Sequence, residues 1–357
     1  MTNRNVSPIA YTPEDWQEIL IPLCDNSIKT ARYRSIQICD WIFKKFVPDF
    51  SLMSNLPKQL RDYLANHYPL QFPLIKQKTV SNDGTTKFLL KLADNSHIEM
   101  VLIPEKEKLT LCISSQVGCL RRCRFCATGD IGFKRNLDSA EIITQLLLAF
   151  RYSLGRRITN LVFMGMGEPL DNHVNVFRAI RLMQDNRLLS FSPRRITVST
   201  CGLIPGIRKL LAEKVKIKLA VSLNSAIQEK REYLMPVAKL YPLKELKQDL
   251  QLYRRNNPFR ITLEYVMFKG FNTGKEDARA LIKLLGDLSC KVNLISWNET
   301  QCNSEFQAPS PDEIEKFISY LQPLPFAVTY RKSRGKDIQA ACGQLAANYQ
   351  ILKEDIS

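Results

Sequence analysis

Apolar positions in the first 70 residues recur at helical spacing. Thr12-Pro13-Glu14-Asp15 offers an N-cap, a proline at the first helical position, and two carboxylates facing the positive end of the helix dipole. Residues 30–46 place Ile36, Ile38, Cys39, Trp41, Ile42 and Phe46 at mixed three- and four-residue intervals. That spacing predicts an amphipathic helix with Arg32, Arg34, Lys44 and Lys45 turned to solvent and Pro48 as its stop. A shorter helix is expected from Pro57 to Tyr68. Between 74 and 104 the pattern turns strand-like. Asn82-Asp83-Gly84 lies between Leu74–Val80 and Lys87–Leu92, a hairpin signal, and Met100-Val101-Leu102-Ile103-Pro104 continues the strand character.

Beyond residue 108 short apolar runs alternate with amphipathic stretches. Strands are expected at Leu109–Ser114, Asn160–Met164, Ile196–Ser199, Ile217–Ser222, Ile261–Met267 and Lys291–Ile295. Helices are expected near 138–152, 172–185, 204–213, 243–255 and 275–287. A last strand-like stretch is Phe326–Arg331. Repeated strand–helix units give an α/β fold with parallel strands. Six units are too few for a closed eight-stranded barrel, so an open barrel and a doubly wound sheet both fit. In either, site residues belong just past the C-terminal strand ends.

Composition narrows the class. The 357 residues are 45% hydrophobic and 24% charged, which excludes wholesale disorder. The 14 glycines show no triplet period, which excludes collagen. No run of about 18 apolar residues occurs, and the first residues are polar, so neither a membrane span nor a signal peptide is expected and a cytoplasmic location is inferred. A reducing compartment makes metal binding or catalysis a better use of ten cysteines than structural disulfides. With 51 Lys+Arg against 35 Asp+Glu the net charge is +16, which points to a polyanionic partner, RNA or DNA first.

Cys119, Cys123 and Cys126 stand in a C-x3-C-x2-C spacing, in the loop after the first parallel strand. Three thiolates can hold one face of a 4Fe–4S cube and leave one iron open. Arg121, Arg122 and Arg124 are placed to offset thiolate charge or approach phosphate. A zinc site and three unrelated buried thiols remain alternatives on spacing alone. On the zinc reading the chain would be a non-catalytic basic RNA-binding module. Gly165-Met166-Gly167-Glu168 follows a strand, and without further context it reads as a glycine turn with a helix-start carboxylate.

The cysteine spacing resembles that of the radical S-adenosylmethionine (SAM) enzymes. Longer stretches resemble one subfamily, the RlmN/Cfr methyltransferases of RNA adenosine: Cys112–Cys119 (CISSQVGC), Phe163–Leu170 (FMGMGEPL), Ser192–Thr200 (SPRRITVST), Glu264–Gly270 and Arg334–Leu345 (RGKDIQAACGQL). The stretches around Gln37–Phe50 and Asn55–Leu64 resemble the subfamily's accessory domain. The resemblance implies a partial (β/α)6 radical-SAM barrel over 108–348, a helical RNA-binding accessory domain over 1–72, a β-hairpin linking region over 73–107, and a tail at 349–357. It implies one 4Fe–4S cluster on Cys119, Cys123 and Cys126, with two SAM molecules used per product. It implies SAM contacts at Gly167, Glu168, Ser199, Ser222, Leu223, Asn224 and Asn298, with Glu168 accepting from the SAM ammonium group. Asn224 departs from the family's usual histidine, and an amide does not titrate.

Further roles follow from the same resemblance. Cys342 is the methyl-carrying cysteine, Cys112 the second catalytic cysteine that forms a disulfide with it at product release, and Glu99 the proton acceptor. The implied partners are 23S rRNA, tRNA and an external flavodoxin-type electron donor, with a monomeric protein and no membrane. Methylation at C2 of adenosine is favoured; Cfr-like methylation at C8, which confers antibiotic resistance, is the alternative. Ala127-Thr128-Gly129-Asp130-Ile131-Gly132 resembles Cfr, yet Arg135-Asn136-Leu137, Glu168-Pro169-Leu170 and Arg334-Gly335 look more RlmN-like. Cys24, Cys39, Cys201, Cys290 and Cys302 match no catalytic position. Tyr33, in Arg32-Tyr33-Arg34, is a candidate for stacking on an RNA base.

Overall fold

The computed structural model describes residues 7–153, 155–300, 305–325 and 327–346. The N-terminal region holds three helices, α1 (Pro13–Leu20), α2 (Ile28–Phe43) and α3 (Lys58–His67). At α1 the expected cap closes into a reciprocal box. Asp15 N–H donates to Thr12 Oγ1 at 3.1 Å, and Thr12 N–H donates to Asp15 Oδ2 at 2.8 Å. Helix α2 ends at Phe43, before Pro48 can act. Phe46 takes a left-handed φ of 55° and stacks on Phe150, ring centroids 4.4 Å apart. A tertiary contact, not the proline, turns the chain.

Strands β1 (Leu74–Val80), β2 (Thr86–Lys91), β3 (His97–Glu105) and β4 (Lys108–Cys112) form an antiparallel meander. The expected hairpin is present between β1 and β2, with Gly84 at φ +81°. A two-stranded ribbon follows, β5 (Gln116–Gly118) with β6 (Phe133–Asn136), and the short α4 (Ala127–Asp130) lies between them. Strand–helix alternation then runs α5 (Ser139–Tyr152), β7 (Asn160–Phe163), α6 (His173–Gln184), β8 (Ile196–Thr200), α7 (Ile204–Ala212), β9 (Lys218–Ser222), α8 (Gln228–Leu234), α9 (Leu243–Asn256), β10 (Ile261–Met267), α10 (Lys275–Leu285), β11 (Cys290–Ser296), α11 (Pro311–Tyr320) and β12 (Val328–Arg331).

All of these strands except the ribbon join one ten-stranded sheet, ordered β1-β2-β3-β4-β7-β8-β9-β10-β11-β12. From β4 to β12 every pair is parallel, so β12 adds a seventh parallel strand to the six expected. Spatial order follows chain order. A doubly wound sheet requires the order to reverse at a switch point. Successive right-handed crossovers without reversal keep the helices on one face, which is the arrangement of a barrel. Both ends are edge strands, so the barrel is open.

One buried apolar cluster runs from the N-terminal helices (Trp16, Ile38, Phe43) to the barrel (Leu146, Phe177, Leu263, Val292). Helix α5 buries almost every residue from Ser139 to Ala149, where it packs against α6 and the N-terminal turn Pro8–Ala10. Three helices absent from the periodicity reading are the one-turn α4, and α8 and α11. The start of α11 is marked in the sequence: Ser310 accepts from Glu313 N–H at 3.2 Å, with Pro311 at the first position.

Candidate active site

Two of the sequence motifs meet at the end of β4 and β7. Gly165 N–H donates to Ile113 O (3.1 Å), Met166 N–H to Ser114 Oγ (2.9 Å), and Ser115 N–H to Met166 O (2.8 Å). Glu168 N–H donates to Gln116 Oε1 at 2.8 Å. The approach leaves no room for side chains. A Cβ on Gly165 would lie 2.6 Å from Ile113 O, and one on Gly167, at φ +97°, would lie 2.5 Å from Gln116 Cβ. Gly165 admits the Ile113–Ser114 backbone, and Gly167 admits the Gln116 side chain.

The loop past the ribbon brings Cys119, Cys123 and Cys126 to the rim of one cavity of about 1060 Å³, its open mouth included. All three are half-buried. Burial and mutual repulsion raise the Cys123 thiol, and burial raises Cys119 and Cys126 as well. Thiolates here need a bound cation for stabilisation. Among the described residues no group of three His, Cys, Asp or Glu side chains is placed to hold a metal ion. Thiols spaced around a cavity suit a polynuclear cluster, in which each sulfur takes a different iron, better than a single zinc.

The positive charge nearest these thiols is not the expected one. Arg121 is committed to Asp171, with Nε 2.6 Å from Oδ2. Arg124 lies over the Tyr233 ring at 4.2 Å and 3.8 Å from Glu305. Instead Arg231, on α8, is fully buried beside Cys123 and Cys201. Its Nη2 donates to Cys201 O at 2.7 Å, while Nε and Nη1 have no partner among the described residues. Nothing in its local sequence marks it, because α8 becomes buried only through the barrel.

The remaining wall comes from the C-terminal ends of the parallel strands, where the α/β reading put it. Glu168 borders the cavity and is buried. Its carboxylate accepts from Leu170 N–H (3.0 Å) and Cys201 N–H (2.8 Å), with the Thr200 and Cys201 side chains also bonded to it. Burial raises its pKa against those bonds. Gly167, Ser199, Ser222, Asn224 and Asn298 also border the cavity. Leu223 does not; it is buried, and its N–H donates to Glu264 O at 2.9 Å. Asn224 takes φ 57°, and its Oδ1 accepts from Val266 N–H at 2.9 Å. Three residues that border the cavity each keep a buried polar atom without a partner among the described residues: Asn298 Oδ1, Trp297 Nε1 and Glu264 Oε2. Glu264 and Trp297 lay inside a matched stretch and beside Asn298, yet their chemistry was not evident until the cavity formed.

Cys342 opens onto the same cavity, beside Arg331 and Gly343. Cys112, at the end of β4, is buried behind it, and its thiol is pushed up to about 12 by burial and by Cys342. Both are free thiols, as are the other described cysteines. Glu99 lies on β3, paired across β2 with Leu89. Val101 opposes Cys112, so Glu99 and Cys112 share a sheet face. Glu99 is buried rather than solvent-facing. Lys87 Nζ approaches Oε1 at 3.0 Å, and Ala346 N–H donates to Oε2 at 2.9 Å. It borders a second, smaller polar cavity with Lys87, Gln77 and Gln339. Cys39 and Cys290 are buried, Cys24 is half-buried, Cys201 borders the main cavity, and Cys302 lies outside the described residues. Tyr33 is 60% exposed, and the Arg34 guanidinium lies 5.7 Å from its ring.

Comparison with known proteins agrees with this geometry. Residues 113–285 match the radical SAM superfamily, and residues 25–69 match the ribosomal RNA large subunit methyltransferase N-terminal domain. The chain is 43% identical over 322 residues to the dual-specificity RNA methyltransferase RlmN of Geobacter sulfurreducens, covering 90% of this chain and 88% of that one. It is 42% identical over 321 residues to the probable dual-specificity RNA methyltransferase RlmN of Flavobacterium psychrophilum, covering 89% and 92%. The chain belongs to the RlmN-type radical SAM RNA methyltransferases. A radical SAM methyltransferase from Sphaerobacter thermophilus superposes with a TM-score of 0.91 at 39% identity, covering 96% of this chain and all of that one. As a radical SAM RNA methyltransferase, the protein belongs to a family that implies a 4Fe–4S cluster, SAM and RNA substrates. No helix among the described residues is long and apolar enough to cross a membrane.

Proposed function

We propose that this methyltransferase modifies C2 of adenosine in 23S rRNA, at the peptidyl transferase centre, and in tRNA 3′ of the anticodon. The observation that carries the proposal is the shared cavity: Cys342 opens onto the space whose rim holds Cys119, Cys123 and Cys126, with Cys112 directly behind it. The relatives named dual-specificity RNA methyltransferases support two RNA substrates.

An sp² ring carbon of adenine is too poor a nucleophile to take a methyl group directly, so the chain divides the task. When bound, a 4Fe–4S cluster on Cys119, Cys123 and Cys126 together with SAM supplies a 5′-deoxyadenosyl radical. Glu168, Ser199, Ser222, Asn224 and Asn298 hold the SAM. Cys342, as thiolate, takes a methyl group from one SAM by displacement. Its methyl, after giving a hydrogen atom to that radical, would add to the adenine carbon and tether RNA to protein, and the radical adduct would then give up one electron to the oxidised cluster. Glu99 accepts the C2 proton. Cys112 attacks the sulfur of Cys342, the product leaves, and the disulfide awaits an external reductant. A flavodoxin-type protein would be the electron donor to the cluster. The target base must leave its stack to reach Cys342. The N-terminal region grips the RNA through cationic side chains such as Arg32, Arg34 and Lys45, so binding weakens with salt. The protein acts as a cytoplasmic monomer.

Nucleoside mass spectrometry tests this reading. Anaerobically reconstituted protein is given SAM, reductant and separate pools of unmodified 23S rRNA and tRNA. 2-Methyladenosine in both pools is expected. 8-Methyladenosine confined to rRNA would overturn the C2 assignment.

A further inference from the structure

The turn that precedes Cys342 is seated on the tip of a hairpin about 250 residues earlier in the chain. Gly335 N–H donates to Asp83 Oδ2 at 3.0 Å. Asp337 accepts from Ser81 Oγ (2.5 Å) and from Asn82 N–H (3.1 Å). Lys87 Nζ donates to Gln339 O at 3.2 Å, while the same ammonium lies 3.0 Å from Glu99. Steric fit agrees with the hydrogen bonds. Gly335 takes φ +65°, and a Cβ there would lie 2.9 Å from both Thr85 Cγ2 and Ala340 Cβ. Thr85 is fully buried beneath it. Ala340 N–H closes the turn on Gly335 O at 2.8 Å, so the seated unit is a compact loop and not a loose strand.

We propose that Asp83 and Asp337 are positioning residues: the β1–β2 hairpin tip latches the 335–340 turn and thereby sets Cys342 against Cys112. The inference rests on the reading of these two cysteines as the reacting pair. Between the end of β12 at Arg331 and the cavity, the chain has no ladder to align it. Its direction is set before Cys342 by the hairpin, at Cys342 by Asn298 Nδ2 on its carbonyl (3.3 Å), and afterwards by Ala127 N–H on Gly343 O (2.8 Å), Ala346 N–H on Glu99 and Thr128 Oγ1 on Leu345 O (2.6 Å). Both catalytic steps assigned to Cys342 need its sulfur or methyl carbon within contact distance of a reacting atom, so a displaced turn costs rate without touching substrate. The Asp83 carboxyl is held low, to about 2, by bonds from Thr85 and Gly335, so the latch is charged at any working pH.

The test is the rate of Cys112–Cys342 closure in the reconstituted full-length protein, read by mass spectrometry with oxidised glutathione. Cys342 attacks the glutathione disulfide and releases one glutathione thiol; Cys112 attacks the mixed disulfide and releases the second. One S–S bond forms for one broken, and both protons leave on glutathione. In Asp83→Asn/Asp337→Asn, closure slows by about tenfold and the mixed disulfide on Cys342 accumulates. The thermal midpoint and the KM for RNA stay put while kcat falls. Should the double variant misfold, Ser81→Ala alone, which removes one hydroxyl, gives the same readout. Closure at the unaltered rate in these variants overturns the latch. If the unaltered protein never forms the 112–342 disulfide, the pairing itself is wrong and the latch falls with it.

Discussion

Asn224 borders the cavity while its side chain holds the backbone. It occupies the left-handed region, where asparagine is among the tolerated side chains, and its amide spans to β10. Asn272 Nδ2 in turn donates to Asn224 O at 2.7 Å. Replacing Asn224 by Ala leaves the buried Val266 N–H unpaired and puts a Cβ residue without compensation at φ 57°. A loss of roughly 2–4 kcal/mol is expected, measured by denaturant unfolding. This answers the departure from the family's histidine: here the side chain is occupied in holding the β9–β10 loop. At the second thiol the prediction is chemical. Cys112→Ala keeps methylation of Cys342 and the attachment to RNA but lacks the attacking sulfur. A covalent protein–RNA adduct should accumulate on denaturing gels. Normal turnover with no trapped RNA would remove Cys112 from its role.

Among the elements, helix starts were the most legible parts of the chain, because a cap is a local bargain between three or four residues. Thr12 and Asp15 satisfy each other's backbone N–H groups before anything else packs. Thr12→Ala should lower stability by about 1 kcal/mol and leave methylation per folded molecule unchanged, checked by thermal unfolding alongside single-turnover assays. Helix ends were less legible. The α2 terminus depends on Phe46 reaching Phe150, over a hundred residues away, and no period in the local sequence encodes that contact. The ribbon of β5 and β6 was missed for a similar reason. Its strands have three and four residues, too short to show alternation, and their register is set by the Gly118–Gly132 approach.

For the whole molecule, burial makes several thiols resist ionisation. Cys112 and Cys290 are both pushed up to about 12, and Cys39 is raised still further, all chiefly by burial. The sign of the linkage follows. Below the unfolded thiol pKa of about 8.5 both states keep the proton, and stability is indifferent to it. Above it the unfolded chain ionises and the folded chain does not. Stability should therefore fall as pH rises from about 9 towards 12, each such thiol removing up to about 1.4 kcal/mol per pH unit. Denaturant midpoints across that range check this. Replacing Cys290 by Ala should flatten part of the slope, although the emptied volume lowers stability at neutral pH.

The sequence by itself determined the strand–helix alternation, the capped helix starts, the hairpin at Asn82-Asp83-Gly84, and the chemistry-bearing motifs, whose resemblance to a family carried from residue to residue. These are properties of near neighbours or of strings read whole. Tertiary structure decided what distant segments do to one another. Sequential strand order selected an open barrel over a doubly wound sheet. The close approach of β4 and β7 explained why Gly165 and Gly167 lack side chains. Folding placed Arg231, with no carboxylate partner, beside Cys123, buried Glu99 against Lys87, and seated the Cys342 turn on Asp83. Each of these depends on desolvation or contact between groups tens to hundreds of residues apart. Such energies come into being only when the chain has closed around them.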